Sequence, residues 1–180
     1  MHPDVREVLL TAEQIRARVG EMAERIAADY SDREPVLVAV LDGAIVFLSD
    51  LMRALPIPLR IDLVKWSSYG DGTSSSGEVQ LLKDLSYSVE GKHVLVVEDI
   101  VDTGLTLRYL MENMTTRGVA SLAVAALLDK PSRRRVEVRL DYVGFRVPDE
   151  FVVGYGLDFA QRYRNLPYVA VLKPEVYRGG

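Results

Sequence analysis

Apolar positions change their period along the chain, and the changes mark its elements. Ile15, Val19, Met22 and Ile26 recur at helical spacing, and Thr11 with Gln14 forms a capping-box pattern in front of them. The spacing predicts an amphipathic helix over residues 12 to 29, with Pro35 closing the region. VLVAVL (36–41) is a continuous apolar run of strand length. DGAIVFLSDLMRAL then reads as a turn and a helix stopped by Pro56. LRIDLVKWSSY (59–69) alternates like a strand, and GDGTSSSGE (70–78) has turn chemistry throughout. VQLLKD (79–84) predicts a short strand and VLVVED (94–99) a buried one. TLRYLMENMTTRG predicts a helix closed by Gly118, and SLAVAALL (121–128) a further buried strand. YVGF (142–145), FVVGYGLDF (151–159) and YVAVL (168–172) read as short strands or extended segments with irregular chain between them.

Strands that are apolar throughout and alternate with helices imply an α/β fold with a mostly parallel sheet buried on both faces. In such sheets ligands bind beyond the carboxyl ends of the strands. The residues following VLVAVL, VLVVE, AALL and FVVGYG are therefore where chemistry is expected.

Composition narrows the class. The chain has 180 residues, 48% apolar and 27% charged, which fits one folded domain spanning 1–180. A net charge of −4 without a long basic run speaks against a nucleic-acid partner. With no cysteine, disulfides, thiolate nucleophiles and Cys-based metal sites are excluded. His2 and His93 are too scattered for a histidine site, so any metal is expected to be a hard ion held by oxygen, such as Mg2+. The N-terminal stretch lacks the pattern of a signal peptide, and no apolar run nears the ~20 residues that span a bilayer. The expectation is a cytoplasmic protein with no membrane partner.

The most informative stretch is VLVVEDIVDTGLTL (94–107). A buried strand ends and delivers Glu98 and Asp99 at the mouth of the sheet. Residues 102 to 106 then form a tight loop into a helix, whose first N–H groups and partial positive charge suit an anion. Asp102, Thr103, Gly104 and Thr106 suit a loop that wraps a phosphate: glycine allows close backbone approach, and the threonines add hydroxyl donors. The two acids would repel a phosphate sharing their pocket, so they fit a neighbouring hydrogen-bond donor such as a ribose diol. Phosphate beside diol describes a 5-phosphoribosyl group. A plainer reading of the same residues is an N-cap aspartate on a helix after a buried strand. The Gly-Lys-Ser/Thr ending of a P-loop is missing.

VLVVEDIVDTGLTL closely resembles the phosphoribosyl-pyrophosphate motif of type I phosphoribosyltransferases. LDGAIVFLSDL (41–51), SSYGDGTSSSGEV (67–79), LLDK (127–130) and VGFRVPDEFVVGYGLDFAQRYRNLPYV (143–169) resemble successive segments of hypoxanthine-guanine phosphoribosyltransferases, in the expected order. The resemblance implies the type I fold, with a small hood from the terminal segments and a flexible active-site loop at about 67–79. It implies Mg2+-dependent transfer of ribose 5-phosphate from phosphoribosyl pyrophosphate to a 6-oxopurine, in a homodimer or homotetramer. By the same resemblance Glu98 and Asp99 hold the ribose hydroxyls, directly or through magnesium. Asp102, Thr103, Gly104, Leu105 and Thr106 form the 5′-phosphate loop, Leu105 without a specific role. Asp102 matches the general base for the purine N7 proton, its other reading being loop structure through an Asx-type hydrogen bond. Lys130 matches the donor to the purine 6-oxo group, against the simpler role of a solvated strand end. Phe151 matches the ring that stacks on the base, or is a plain core aromatic, and the Val152 backbone reads the base edge. Asp158 matches a magnesium ligand at the purine end, and Arg164 a pyrophosphate contact. Ser68 and Tyr69 are expected to close over the reacting centre. Leu41, Asp42 and Gly43 match a pyrophosphate loop with a cis peptide, but many relatives carry lysine where this chain has Asp42. An acid there is unfavourable unless its side chain turns away or pairs.

Two other readings compete. A nucleotide-sensing, RNA-binding regulator on the same fold would carry a basic face and a different C-terminal segment. The −4 charge and FVVGYGLD oppose it, and the Arg133–Arg135 run reads as a solvated loop. A transferase for another base, such as xanthine or orotate, would keep the fold and change the chemistry at Lys130 and Phe151.

Overall fold

A computed structural model describes residues 2–68 and 79–177. Its centre is a six-stranded sheet in the order β4-β3-β2-β5-β6-β7. These strands are β2 (Val36–Leu41), β3 (Arg60–Ser68), β4 (Val79–Lys83), β5 (His93–Val101), β6 (Ser121–Asp129) and β7 (Tyr142–Arg146). All neighbours are parallel except β4, which returns antiparallel along β3.

Alternation explains how both faces are buried. Leu37, Ala39, Leu95, Val97, Ala125 and Leu127 point to one side. There they meet α1 (Ala12–Asp29) through Ile15, Val19, Met22 and Ile26, and α2 (Ile45–Ala54) through Phe47, Leu48 and Leu51. Val36, Val38, Val94, Val96, Val124 and Ala126 point to the other side and meet Leu107, Leu110 and Met114 of α3 (Leu105–Thr116). The predicted helix over 12–29 is present with its capping box: Gln14 N–H donates to Thr11 Oγ1 at 3.2 Å and Thr11 N–H to Gln14 Oε1 at 2.8 Å.

A second, antiparallel sheet joins distant parts of the chain: β1 (Val5–Leu10), β9 (Val169–Leu172) and the two-residue β8 (Val152–Val153). Val5 lies opposite Leu172, and Val152 opposite Val171. A four-residue helix, α4 (Pro174–Tyr177), follows β9. No strand is predicted at 5–10, because this edge strand is specified by a partner some 160 residues away. Within the expected strand 151–159 only β8 is regular. Tyr155 and two flanking glycines take positive φ, which ends pairing and turns the chain. No helix among the described residues is long and apolar enough to cross a membrane.

Candidate active site

The connections from β2 and β5 leave the sheet in opposite directions. β2 runs through α2 to β3 on one side, and β5 through α3 to β6 on the other. Neighbouring strands that part in this way open a crevice at their carboxyl ends. Register shows where it begins: β2 pairs with β5 only from Val36–Val94 to Ala39–Val97, whereas β5 and β6 continue together to Val101–Asp129. Glu98 and Asp99 lie inside β5, two residues before its end rather than beyond it, and they flank the gap that β2 leaves.

Both acids are held where a negative charge is poorly solvated. Burial, with Asp99 next to it, pushes the Glu98 carboxyl well above its ordinary range. Burial also raises Asp99 to about 6, against the opposing pull of the Ile100 and Asp99 amides and Arg164. Asp99 accepts from Ile100 N–H at 2.8 Å, and the Glu98 side chain has no hydrogen bond or ion pair among the described residues. Such carboxylates fit a hydroxyl pair or a divalent cation. Among the described residues no three acidic, His or Cys side chains are close enough to hold an ion unaided. A magnesium ion here would need substrate oxygens to complete its shell, which is ordinary for that ion.

Beyond β5 a cleft of about 110 Å³ is lined by Glu98, Asp102, Thr103, Gly104, Thr106 and Leu107, among others. Gly104 is the N-cap of α3, with φ of 82°, and a Cβ there would stand 3.0 Å from the Val136 carbonyl oxygen. Both constraints favour glycine. Arg108 N–H donates to Gly104 O at 2.9 Å, so the amides of Thr106 and Leu107 have no acceptor in their own helix. Asp102 is not the cap. Among the described residues its buried Oδ1 accepts no hydrogen bond and is ion-paired with Arg133 Nε at 3.5 Å, so the Asx-type bond expected of a purely structural aspartate is not formed.

The turn after β2 comes to the same place. The Leu41–Asp42 peptide is cis. A Cβ on Gly43 would fall 1.7 Å from Asp99 Oδ2, so the backbone of this turn passes directly against the acid pair. Asp42 turns to Lys65, whose Nζ donates to its two carboxylate oxygens at 2.8 and 3.0 Å. The segment after β8 closes this side. Arg164 donates to Gly156 O at 2.7 Å and pairs with Asp158 at 2.8 Å. Tyr155, Ala160, Gln161 and Tyr163 all have positive φ, which non-glycine residues adopt at a cost. Four such residues in nine mark a loop whose shape is imposed by its surroundings.

On the far side of Asp102, Lys130 is buried and not a solvated strand end: its Nζ donates to Glu150 O at 2.8 Å. An ammonium has three donors, so two are left for a ligand. Phe151 follows, 39% exposed, and is therefore not a core aromatic. Tyr177 stacks on it at 5.1 Å, and Phe159 meets it edge-on at 5.6 Å. Val152 is buried in β8. A roomier hollow of about 720 Å³ lies between α1, α2 and residues 155–167. Aliphatic side chains share its lining with Arg16, Asp50, Arg53 and Asn165, and of the expected site residues it holds only Arg164, whereas the smaller cleft holds Glu98, Asp102, Thr103, Gly104 and Thr106.

The fold thus gathers Leu41–Gly43, Glu98–Asp99, Asp102–Thr106, Lys130, Phe151, Val152, Asp158 and Arg164 around one end of the sheet. Tyr69 lies outside the described residues, and Ser68 is described only as the last residue of β3. Bracing of the 102–106 loop by the arginine run is not legible in the sequence. Arg135 and Val136 N–H donate to Thr103 O at 3.0 and 3.3 Å, and Arg134 pairs with buried Asp129. Three consecutive arginines just after Lys130 were the only signal, and they look the same in a solvated loop.

A crevice with buried acids, a phosphate-sized cleft at a helix start and a buried lysine beside a part-exposed aromatic ring is the pattern of a nucleotide- or sugar-phosphate-handling α/β protein. The family model described as phosphoribosyl transferase domain matches residues 6–160, and the chain belongs to that family. The hypoxanthine-guanine phosphoribosyltransferase of Bacillus subtilis is 49% identical over 177 residues, covering 98% of each chain. A bifunctional TilS/HprT protein of Listeria monocytogenes is 50% identical, but this chain spans only 27% of that longer protein. A crystal structure of a hypoxanthine phosphoribosyltransferase from Staphylococcus aureus superposes with a TM-score of 0.95 at 49% identity, covering 98% of this chain and 96% of that one.

Proposed function

We propose that this chain is a hypoxanthine-guanine phosphoribosyltransferase of purine salvage. It transfers the 5-phosphoribosyl group from phosphoribosyl pyrophosphate to N9 of hypoxanthine or guanine, giving IMP or GMP and diphosphate. One observation carries the reading: a phosphate-sized cleft at the start of α3, walled on one side by Glu98, whose burial favours its neutral form, meets Asp99 and the Lys130–Phe151 compartment at one switch point. Relatives with this named activity match the full length of the chain.

In this reading the amides opening α3, with Thr103 and Thr106, hold the 5′-phosphate, and Glu98 and Asp99 take the ribose hydroxyls. The C1′–O bond to diphosphate breaks as the C1′–N9 bond forms, and the purine N7 proton passes to Asp102. Among the described residues its buried Oδ1 accepts no hydrogen bond, with Arg133 Nε 3.5 Å away, so a purine N–H would find an open acceptor there. Lys130 donates to the 6-oxo group, a hydrogen bond that the amino group of a 6-aminopurine cannot accept. Phe151, with Tyr177 behind it, offers a flat wall to the base. Bound magnesium would be held by Glu98, Asp99 or Asp158 together with substrate oxygens, and would supply counter-charge for the leaving diphosphate. Arg164 adds a guanidinium on that side. The working assembly is a homodimer or homotetramer.

The test is an assay of purified chain with phosphoribosyl pyrophosphate, magnesium and, in turn, hypoxanthine, guanine, xanthine, adenine and uracil. Nucleotide formed from hypoxanthine and guanine, and not from adenine or uracil, is the expected result. Turnover with xanthine alone would move the assignment to another base, and none with any base would refute it.

A further inference from the structure

Asp42 puts a negative charge on the turn assigned to diphosphate, and the structure shows what offsets it. Leu41 and Lys65 are register partners on adjacent parallel strands, so Lys65 leaves β3 at the level where β2 enters its turn. Its Nζ donates to the two oxygens of Asp42. Both side chains are about 40% exposed, at 38% and 43%. A pair this open adds little to stability, commonly under ~1 kcal/mol, so its effect is to be sought in the charge of the site. That charge leans negative. The turn passes against Asp99, and the facing loop brings Asp158 and Arg164. Four carboxylates, Asp42, Glu98, Asp99 and Asp158, thus stand near two cations, Lys65 and Arg164, and Arg164 is already tied to Asp158.

We propose that Lys65 is a positioning residue of the diphosphate end of the site: by pairing with Asp42 it cancels an acid that would otherwise repel the anion. The inference rests on the function proposed above. It assigns to β3 the cation that the turn itself lacks.

Lys65→Met keeps the aliphatic stem and frees the Asp42 carboxylate. One uncompensated charge at a part-exposed site is worth about tenfold in anion affinity. The expected result is a KM for phosphoribosyl pyrophosphate raised about tenfold, with a much smaller change in kcat and in the KM for the purine. Binding of magnesium diphosphate, measured by calorimetry, should weaken by a similar factor. Adding Asp42→Asn to Lys65→Met should recover most of the loss, and Lys65→Arg should stay close to the unaltered chain. Thermal melting of each variant separates these effects from misfolding. An unchanged KM in Lys65→Met, or a loss that Asp42→Asn fails to rescue, overturns the proposal; the second outcome would mean that Lys65 acts by itself. Failure of the unaltered chain to make any nucleotide would refute the proposed function instead, and diphosphate calorimetry would still test Lys65.

Discussion

At the scale of single residues, the site is a set of groups whose needs the protein leaves unmet. Among the described residues, Asp102 has a buried oxygen that accepts no hydrogen bond, Lys130 uses one of its three donors, and burial disfavours the charges of Glu98 and Asp99. Each deficit points to a substrate atom. Asp102→Asn removes the proton acceptor while nearly preserving shape. It should cut kcat by about a hundredfold or more and change the KM for phosphoribosyl pyrophosphate little. Steady-state kinetics check this, and equal losses in the two parameters would assign Asp102 to loop structure. Lys130→Ala should raise the KM for hypoxanthine and guanine by about tenfold or more, since a charged hydrogen bond is worth ~1.5–3 kcal/mol. An unchanged KM would remove Lys130 from the base compartment. Asp102 stands out in the sequence by its place in the loop after a buried strand, but the roles of both residues follow there only from a family motif. By itself a lysine at a strand end reads as solvated, and burial of Lys130 becomes visible only when residues 148–151 fold over it.

At the scale of elements, strands and helices set the crevice, and one clasp secures its outer edge. Asp62 on β3 is buried and accepts from Leu63 N–H at 2.8 Å, Ser86 N–H at 2.7 Å, Ser86 Oγ at 3.1 Å and Tyr87 N–H at 3.3 Å. Burial alone would raise its pKa, but these donors prevail and hold it below the ordinary 3.8. A carboxyl with a depressed folded-state pKa stabilises the fold above its unfolded pKa, and that contribution is lost as pH falls through the folded value. Asp62→Asn should therefore cost about 2 kcal/mol at pH 7. The gap from the unaltered chain should narrow as pH drops below 3.8. Denaturant titrations at pH 7 and pH 3 measure it, and a gap independent of pH would assign the cost to shape rather than charge. Helix α1 and the buried strands were readable because period and capping are local. Strand β1 was not, because a lone apolar stretch becomes a strand only when β9 lies beside it.

At the scale of the whole molecule, the two sheets and the loops between them bring residues from 41 to 164 to one crevice. If magnesium and phosphoribosyl pyrophosphate bind there, chelation should abolish turnover and leave the fold intact, as circular dichroism would show. Full turnover in excess chelator would contradict the metal assignment. Saturating phosphoribosyl pyrophosphate with magnesium should raise the melting temperature, because a ligand at a hundred times its Kd stabilises by about 2.7 kcal/mol. A melting temperature unmoved by both together would mean that the crevice is not the binding site.

The sequence alone determined whatever depends on neighbours in the chain. That includes the buried strands with their helices, the capped α1, the loop from Asp102 to Thr106 and the motif that names the family. Tertiary structure decided what depends on distant partners: the pairing of β1 with β9, the bracing of Thr103 by Arg135 and Val136, the burial of Lys130 and the Asp42–Lys65 pair. Local order follows from spacing and capping, whereas burial and charge pairing arise only when the sheet sets separate segments side by side. Asp42 shows the difference. In sequence it is an acid with no counter-charge beside it in the chain, and the fold supplies one from the next strand.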